Sequence, residues 1–355
     1  MRAECKGRRR RVQSLAVAMS MVLGMVLAMG MGGVPGEAKA QTATPTIRIS
    51  TENTAGHVQT RVLRLFAERL EARLEGRIRV EVHDDAALFR DRDVVEAVAA
   101  GRVDMAAPGM WHLDRYEPGF AVFLLPMFYG REHAVNYAVR DGATGQALNA
   151  KLHAVTGTHV LGRWIDLGEA HLFTQGARIS GPADIAGLRL RFAGGEGNAE
   201  RLRALGAEAV IIPWPDLPSA LAADSIDGAL TSAGTVVSAN LWEQGIDGAY
   251  LDRQYFAQYV PIVSPRLWAR LPDPVRLAMT ETWEGVVEEA RIMAESAQIE
   301  ALKRLEDAGV TMVRPSREVL AQTRRALMEH QPGIVETLGL SPLLVEAVRA
   351  ALEER

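Results

Sequence analysis

The stretch that most constrains the fold runs from Gly187 to Gly228. It reads Gly-Leu-Arg-Leu-Arg-Phe, a turn rich in glycine at Gly194, Gly195 and Gly197, a helix-periodic run over 198–205, and a β-rich run over 209–212. Pro-Trp-Pro-Asp (213–216) and Ile-Asp-Gly-Ala-Leu (226–230) complete it. Leu188, Leu190 and Phe192 alternate with Arg189 and Arg191, so a strand buries the first set and turns both arginines away from it. Pro215 suits the first turn of a helix. Strand–helix–strand–helix–strand is the pattern of a parallel α/β unit. Ligands gather at the carboxyl ends of strands in such units, and Arg191 lies near the end of its own. A guanidinium there can hold a carboxylate through two parallel hydrogen bonds. By residue type alone, a solvated and ion-paired strand face is the commoner account.

The ordered series Gly-Leu-Arg-Leu-Arg-Phe (187–192), Ala-Leu-Gly-Ala (204–207), Pro-Trp-Pro-Asp (213–216), Ala-Leu (220–221) and Ile-Asp-Gly (226–228) resembles the DctP-type substrate-binding proteins of TRAP transporters. The likeness continues in order over nearly the whole chain after residue 40. It implies an α/β, two-lobed periplasmic-binding-protein fold with hinge strands and a long helix spanning both lobes. The expected division is a signal peptide over 1–40, one lobe from 41–165 plus 258–298, and another from 166–257 plus 299–355. The resemblance further implies capture of an organic acid carboxylate by lobe closure and delivery to integral-membrane permease subunits, by a monomer that is not an enzyme. In that family the second arginine of the first motif binds the carboxylate, and here it is Arg191.

Along the chain, Thr46–Ser50 reads as a strand, and Val58, Val62, Phe66, Leu70 and Leu74 recur every four residues as an amphipathic helix. Strands over 77–83 and 103–107 flank a helix over 90–100. The resemblance places the loops after the first and third strands on the cleft, which offers Glu52, Asn53 and Trp111. Helix capping is the alternative for Glu52 and Asn53, and a core position is the alternative for Trp111. A helix over 132–154 and a strand over 159–165 run into Asp166-Leu-Gly-Glu-Ala-His171. Many relatives carry a second arginine here as Gly-x-Arg, whereas Gly168 is followed by Glu169, Ala170 and His171. His171 is the nearest replacement cation, with a structural histidine as the alternative, and Asp166 could read a hydroxyl or an amine. Thr231 falls near the family's polar asparagine, or caps the helix that follows. Gln258 belongs to a β-rich run over 253–264 expected to cross between lobes. Asp273 and Pro274 open a helix to Gly309, roughly 50 Å long. Two more helices, over 316–330 and 341–354, end the chain.

The N-terminus carries Arg8–Arg11, an apolar run over 15–31 and Ala-Lys-Ala (38–40). This is a signal peptide cleaved near Ala40, with export to the periplasm and a hint of a twin-arginine signal; an uncleaved anchor is the alternative. Cleavage removes seven basic and two acidic residues, leaving 33 against 42 and a net charge of −9. That balance argues against nucleic acid as a partner. The single cysteine, Cys5, precedes the apolar run, so disulfides and cysteine-based zinc sites are excluded. His-Glu-x-x-His and Gly-x-Ser-x-Gly are missing, and no metal or cofactor is expected. Two other functions remain open on the residues: a periplasmic sensing module for a receptor, or a hydrolase or lyase using Asp166, His171 and Asp227.

Overall fold

Period-two and period-four patterning resolves into two sheets in the computed structural model, which describes residues 45–353. The expected signal peptide, its expected cleavage site near Ala40, and Cys5 lie outside the described residues. The strands are β1 (Thr46–Ser50), β2 (Arg79–His83), β3 (Met105–Ala106), β4 (His159–Val160), β5 (Ile165–Thr174), β6 (Arg189–Phe192), β7 (Glu208–Ile211), β8 (Gly228–Thr231), β9 (Gly248–Tyr259), β10 (Ile262–Val263) and β11 (Thr311–Val313). One sheet has the order β2-β1-β3-β10-β4 and the other β11-β9-β5-β8-β6-β7. Each is the centre of one lobe. The 187–228 stretch forms the expected unit, with β6 parallel to both β7 and β8, and Leu190 facing Ala209 on one side and Gly228 on the other.

Two connections bind the sheets together. β4 leads into β5 and β9 leads into β10, and β5 and β9 pair antiparallel along most of their length. Tyr259 at the end of β9 also bridges to Gly109 of the first lobe. The helix Asp273–Asp307 serves both cores. Its Trp283 ring meets Phe66 edge-on at 5.4 Å in one lobe, and its Ala301 and Leu305 join Leu217 and Ile226 in the other.

Three local expectations are corrected. The strand expected over 159–165 is only β4, and Asp166–His171 lies inside β5, which pairs with β9 from Ile165 to Thr174 with two register shifts. The expected helix over 132–154 is two, Ala134–Arg140 and Ala143–Thr156, broken at Gly142, whose backbone is extended. The helix Arg317–Thr337 continues through Pro332, since buried Gln331 and Ile334 hold that turn and Gln331 Oε1 accepts the Met127 N–H at 2.9 Å.

Candidate functional site

The site begins where β1 ends. Helix Val58–Arg73 is capped by His57, whose Nδ1 accepts the Gln59 N–H at 3.2 Å, so capping is not the work of Glu52 or Asn53. Asn53 Nδ2 instead donates to Gln59 Oε1 at 2.6 Å and Tyr259 Oη at 3.0 Å, and reaches Glu52 Oε1 at 3.3 Å. Glu52 is 6% exposed. Burial pushes its carboxyl up to about 8, with the Asp91 charge acting in the same direction.

The turn after β3 supplies Trp111 and His112. Trp111 Nε1 donates to His112 Nε2 at 3.0 Å, and its ring lies 5.6 Å from that of Tyr259 and 6.2 Å from that of Tyr255. The Trp111 ring covers Gly109, where an added Cβ would come within 2.3 Å of it. Burial holds His112 down at about 4, so it is neutral. Asp91, 3.7 Å from His112 Nε2, accepts the Trp214 N–H at 2.9 Å and the Arg92 N–H at 3.0 Å.

Arg191 comes from β6 and is 1% exposed. Its Nε donates to the Ile212 carbonyl at 2.8 Å, and its buried Nη2 has no partner. Burial lowers its pKa to about 10, which leaves it a cation at neutral pH. The Gly194–Gly195 turn after β6 packs on the Trp111–His112 turn. A Cβ at Gly194 would approach His112 Nδ1 to 2.8 Å, and Gly195 has φ +81°. Arg189, two residues earlier, is half-exposed and pairs with Asp227 at 2.7 Å.

Arg191, Glu52, Asn53, Trp111 and Thr231 thus line one cavity between the lobes, together with Asp91, Trp214, Tyr255 and Tyr259. Its free volume is 40 Å³, room for about three waters. The lobes are drawn together around it. His57 Nε2 lies 3.1 Å from Thr235 Oγ1, and Thr54 Oγ1 donates to the Ser238 carbonyl at 3.2 Å. Ser232, not Thr231, caps the helix Ala233–Ser238.

Asp166, His171 and Gln258 lie elsewhere. Tyr255, Ala257 and Tyr259 line the cavity, and strand alternation therefore turns Gln258 to the opposite face, where its Oε1 accepts from Arg140 at 2.7 Å. Asp166 pairs with Arg140 at 2.5 Å and accepts the Tyr137 hydroxyl at 2.7 Å. His171 Nδ1 accepts the Arg253 N–H at 3.0 Å, and burial pushes the ring down to about 3, so it supplies no charge. Asp166 and His171 border a larger groove of 370 Å³ along the long helix. Its arginine, Arg291, is already paired with Asp141 at 2.7 Å, so the smaller cavity with its unpaired guanidinium is the better place for an anion. Asp166, His171 and Asp227 do not share a cavity, since Asp227 is bound to Arg189 on the outer part of β6.

Sequence reasoning missed Asp91, Tyr255, Tyr259 and Trp214. For the tyrosines the signal was there: both have the parity on β9 opposite to Gln258. For Asp91, in a turn 123 residues before the Trp214 N–H that it accepts, no local pattern exists.

Among the described residues, no helix is long and apolar enough to cross a membrane, and no group of three or more acidic, histidine or cysteine side chains could hold a metal ion. A family model described as bacterial extracellular solute-binding protein, family 7, matches residues 49–333. The chain belongs to this family. As a family 7 protein it is similar to the C4-dicarboxylate-binding periplasmic protein DctP of Rhodobacter capsulatus, 26% identical over 81% of this chain and 85% of that one. The 2,3-diketo-L-gulonate-binding periplasmic protein YiaO of Escherichia coli is 21% identical over 81% and 86%. Among solved structures, the sugar acid binding protein of Advenella mimigardefordensis in complex with galactonate superposes with TM-score 0.82, at 22% identity over 88% of this chain and 99% of that one. A TRAP periplasmic solute-binding protein of Sulfurospirillum deleyianum with bound succinate has TM-score 0.80, at 22% identity over 87% and 99%. These are binding proteins, and the family 7 protein shares their two-lobed fold.

Proposed function

We propose that this protein captures a small organic acid in the periplasm by closing its lobes, holds the acid's carboxylate on Arg191, and delivers it to the membrane subunits of a TRAP transporter. The observation that carries the reading is the Arg191 Nη2, buried between the lobes without a partner. A buried cation without an anion is costly, and so is a buried carboxylate without a cation; the complex relieves both. Polar groups from both lobes border the cavity, so a bound acid gains contacts in the closed state that an open one lacks. Family membership supports the transport role, and relatives whose names or structures carry organic acids support the ligand class.

The test is calorimetry on the mature protein against a panel of organic acids. Arg191→Ala is expected to cost about 2–5 kcal/mol of binding to the cognate acid, mostly from the stranded carboxylate. Arg191→Lys is expected to lose much of the affinity as well, because the planar fork is gone. Unchanged affinity in both variants would overturn the assignment.

A further inference from the structure

The charges around the cavity point to the kind of acid it takes. Arg191 is the one cation among the described residues lining it. His112 is held neutral by burial, and so is His57, which adjoins the cavity through Thr235. The other ionisable groups facing the cavity are acids: Asp91, Glu52 and the phenols of Tyr255 and Tyr259. Asp91 already accepts two backbone N–H groups, from Trp214 and Arg92. Glu52 is less well served. Its side-chain donor is Asn53 Nδ2 at 3.3 Å, an amide also engaged by Gln59 at 2.6 Å and Tyr259 at 3.0 Å. The Asp91 charge acts on both Glu52 and Arg191. Glu52 and Arg191 form no ion pair with each other. The rest of the wall mixes apolar Leu167, Ala170, Ala193 and Leu230 with the uncharged Thr231, Ser232 and Thr235.

We propose that Glu52 reads a hydroxyl in this cavity: its carboxyl exchanges a hydrogen bond with the hydroxyl of a hydroxy monocarboxylate whose acid end sits on Arg191, the one cation among the described residues there to hold a carboxylate. The proposal rests on Arg191 holding the first carboxylate. A second one, sealed in the same cavity, would meet carboxyl groups, uncharged polar groups or apolar side chains, with no cation left to pair with. That arrangement costs several kcal/mol. A hydroxyl instead satisfies Glu52 without adding charge.

The probes are lactate and glycerate as hydroxy acids, propionate as the acid without a hydroxyl, and malonate and succinate as dicarboxylates, titrated into mature wild type, Glu52→Gln, Glu52→Asp and Arg191→Ala at pH 7. The wild type is expected to bind a hydroxy acid about a hundredfold more tightly than either dicarboxylate, and roughly tenfold more tightly than propionate. Glu52→Gln, nearly isosteric and like the protonated Glu52 uncharged at pH 7, is expected to leave the preference over dicarboxylates unchanged. Glu52→Asp keeps the carboxyl but shortens its reach, so exclusion stays while the hydroxy acid weakens. Dicarboxylates binding the wild type as well as hydroxy acids, or a Glu52→Asp protein that binds hydroxy acids as tightly as the wild type, would overturn the proposal. If Arg191→Ala loses every acid while Glu52→Asp keeps full affinity for hydroxy acids, only the role of Glu52 falls. If Arg191→Ala binds all probes as the wild type does, the carboxylate assignment fails and this proposal with it.

Discussion

Arg189 and Arg191 stand two residues apart on the same strand face, with the same chemistry and opposite surroundings. Arg189 sits at the start of β6 beside Asp227, half in water, where an ion pair is worth little. Arg191 sits at the carboxyl end, buried between the lobes, with no ion pair among the described residues and with its Nη2 lacking a hydrogen-bond partner. Alternation in the sequence puts both on one face but says nothing about what covers that face. The same parity, applied to β9, distinguishes Tyr259 from Gln258, and there it was readable without the fold. Gly109 offers a residue-scale test of the aromatic wall. Gly109→Ala would drive a methyl into the Trp111 ring, with an expected loss of about 1–3 kcal/mol of stability from overpacking. A melting temperature equal to wild type would show that the ring is free to move aside.

At the scale of elements, the helix Asp273–Asp307 was legible because its signals are local. Asp273 and Pro274 open it, no strong breaker interrupts it, and its apolar positions recur with helical period. Gly285 is its weak link. It lies mid-helix, and an added Cβ there meets nothing within 4 Å. Gly285→Ala is expected to raise stability by about 0.5–1 kcal/mol, through the reduced entropy of the unfolded chain and better helix propensity. Urea unfolding with an unchanged slope and a raised midpoint would bear this out, and a lowered midpoint would contradict it. Strand β5 shows the opposite case. Its polar run Asp166–His171 looks like a connection, and only pairing with β9, more than 80 residues later, makes it a strand. That pairing is what takes Asp166 and His171 out of the Arg191 cavity.

For the whole molecule, buried ionisable groups set the pH dependence of stability, and their signs oppose. Glu52 is raised to about 8 and Asp252 to about 7, above their values of 4.5 and 3.8 in an unfolded chain. As pH rises between those limits the unfolded state ionises first, so stability falls and the loss is complete above the folded value. His57 and His171 are lowered to about 3 and His112 to about 4, from 6.5. As pH falls below 6.5 the unfolded state takes up protons first, so stability falls in that direction too. Between 4.5 and 6.5 the two groups offset each other. The ligand-free protein is therefore expected to be most stable there, and to weaken above about 6.5 and below about 4.5. Chemical denaturation midpoints across this range check it, and Glu52→Gln should flatten the alkaline flank. A midpoint that climbs steadily from pH 6.5 to 8 would contradict the burial of Glu52 and Asp252.

The sequence by itself determined the α/β unit over 187–228, the long helix, the family resemblance and the candidacy of Arg191. Those follow from alternation, helical period and motif order, all of which are properties of neighbouring residues. Only the tertiary structure decided which arginine is buried, that His171 is neutral and turned away, and that Glu52 and Asp91 share the cavity with Arg191. These depend on contacts between distant segments, such as Arg140 with Gln258, 118 residues apart. Burial, which sets charge state and the cost of an unpaired ion, exists only once the lobes have met.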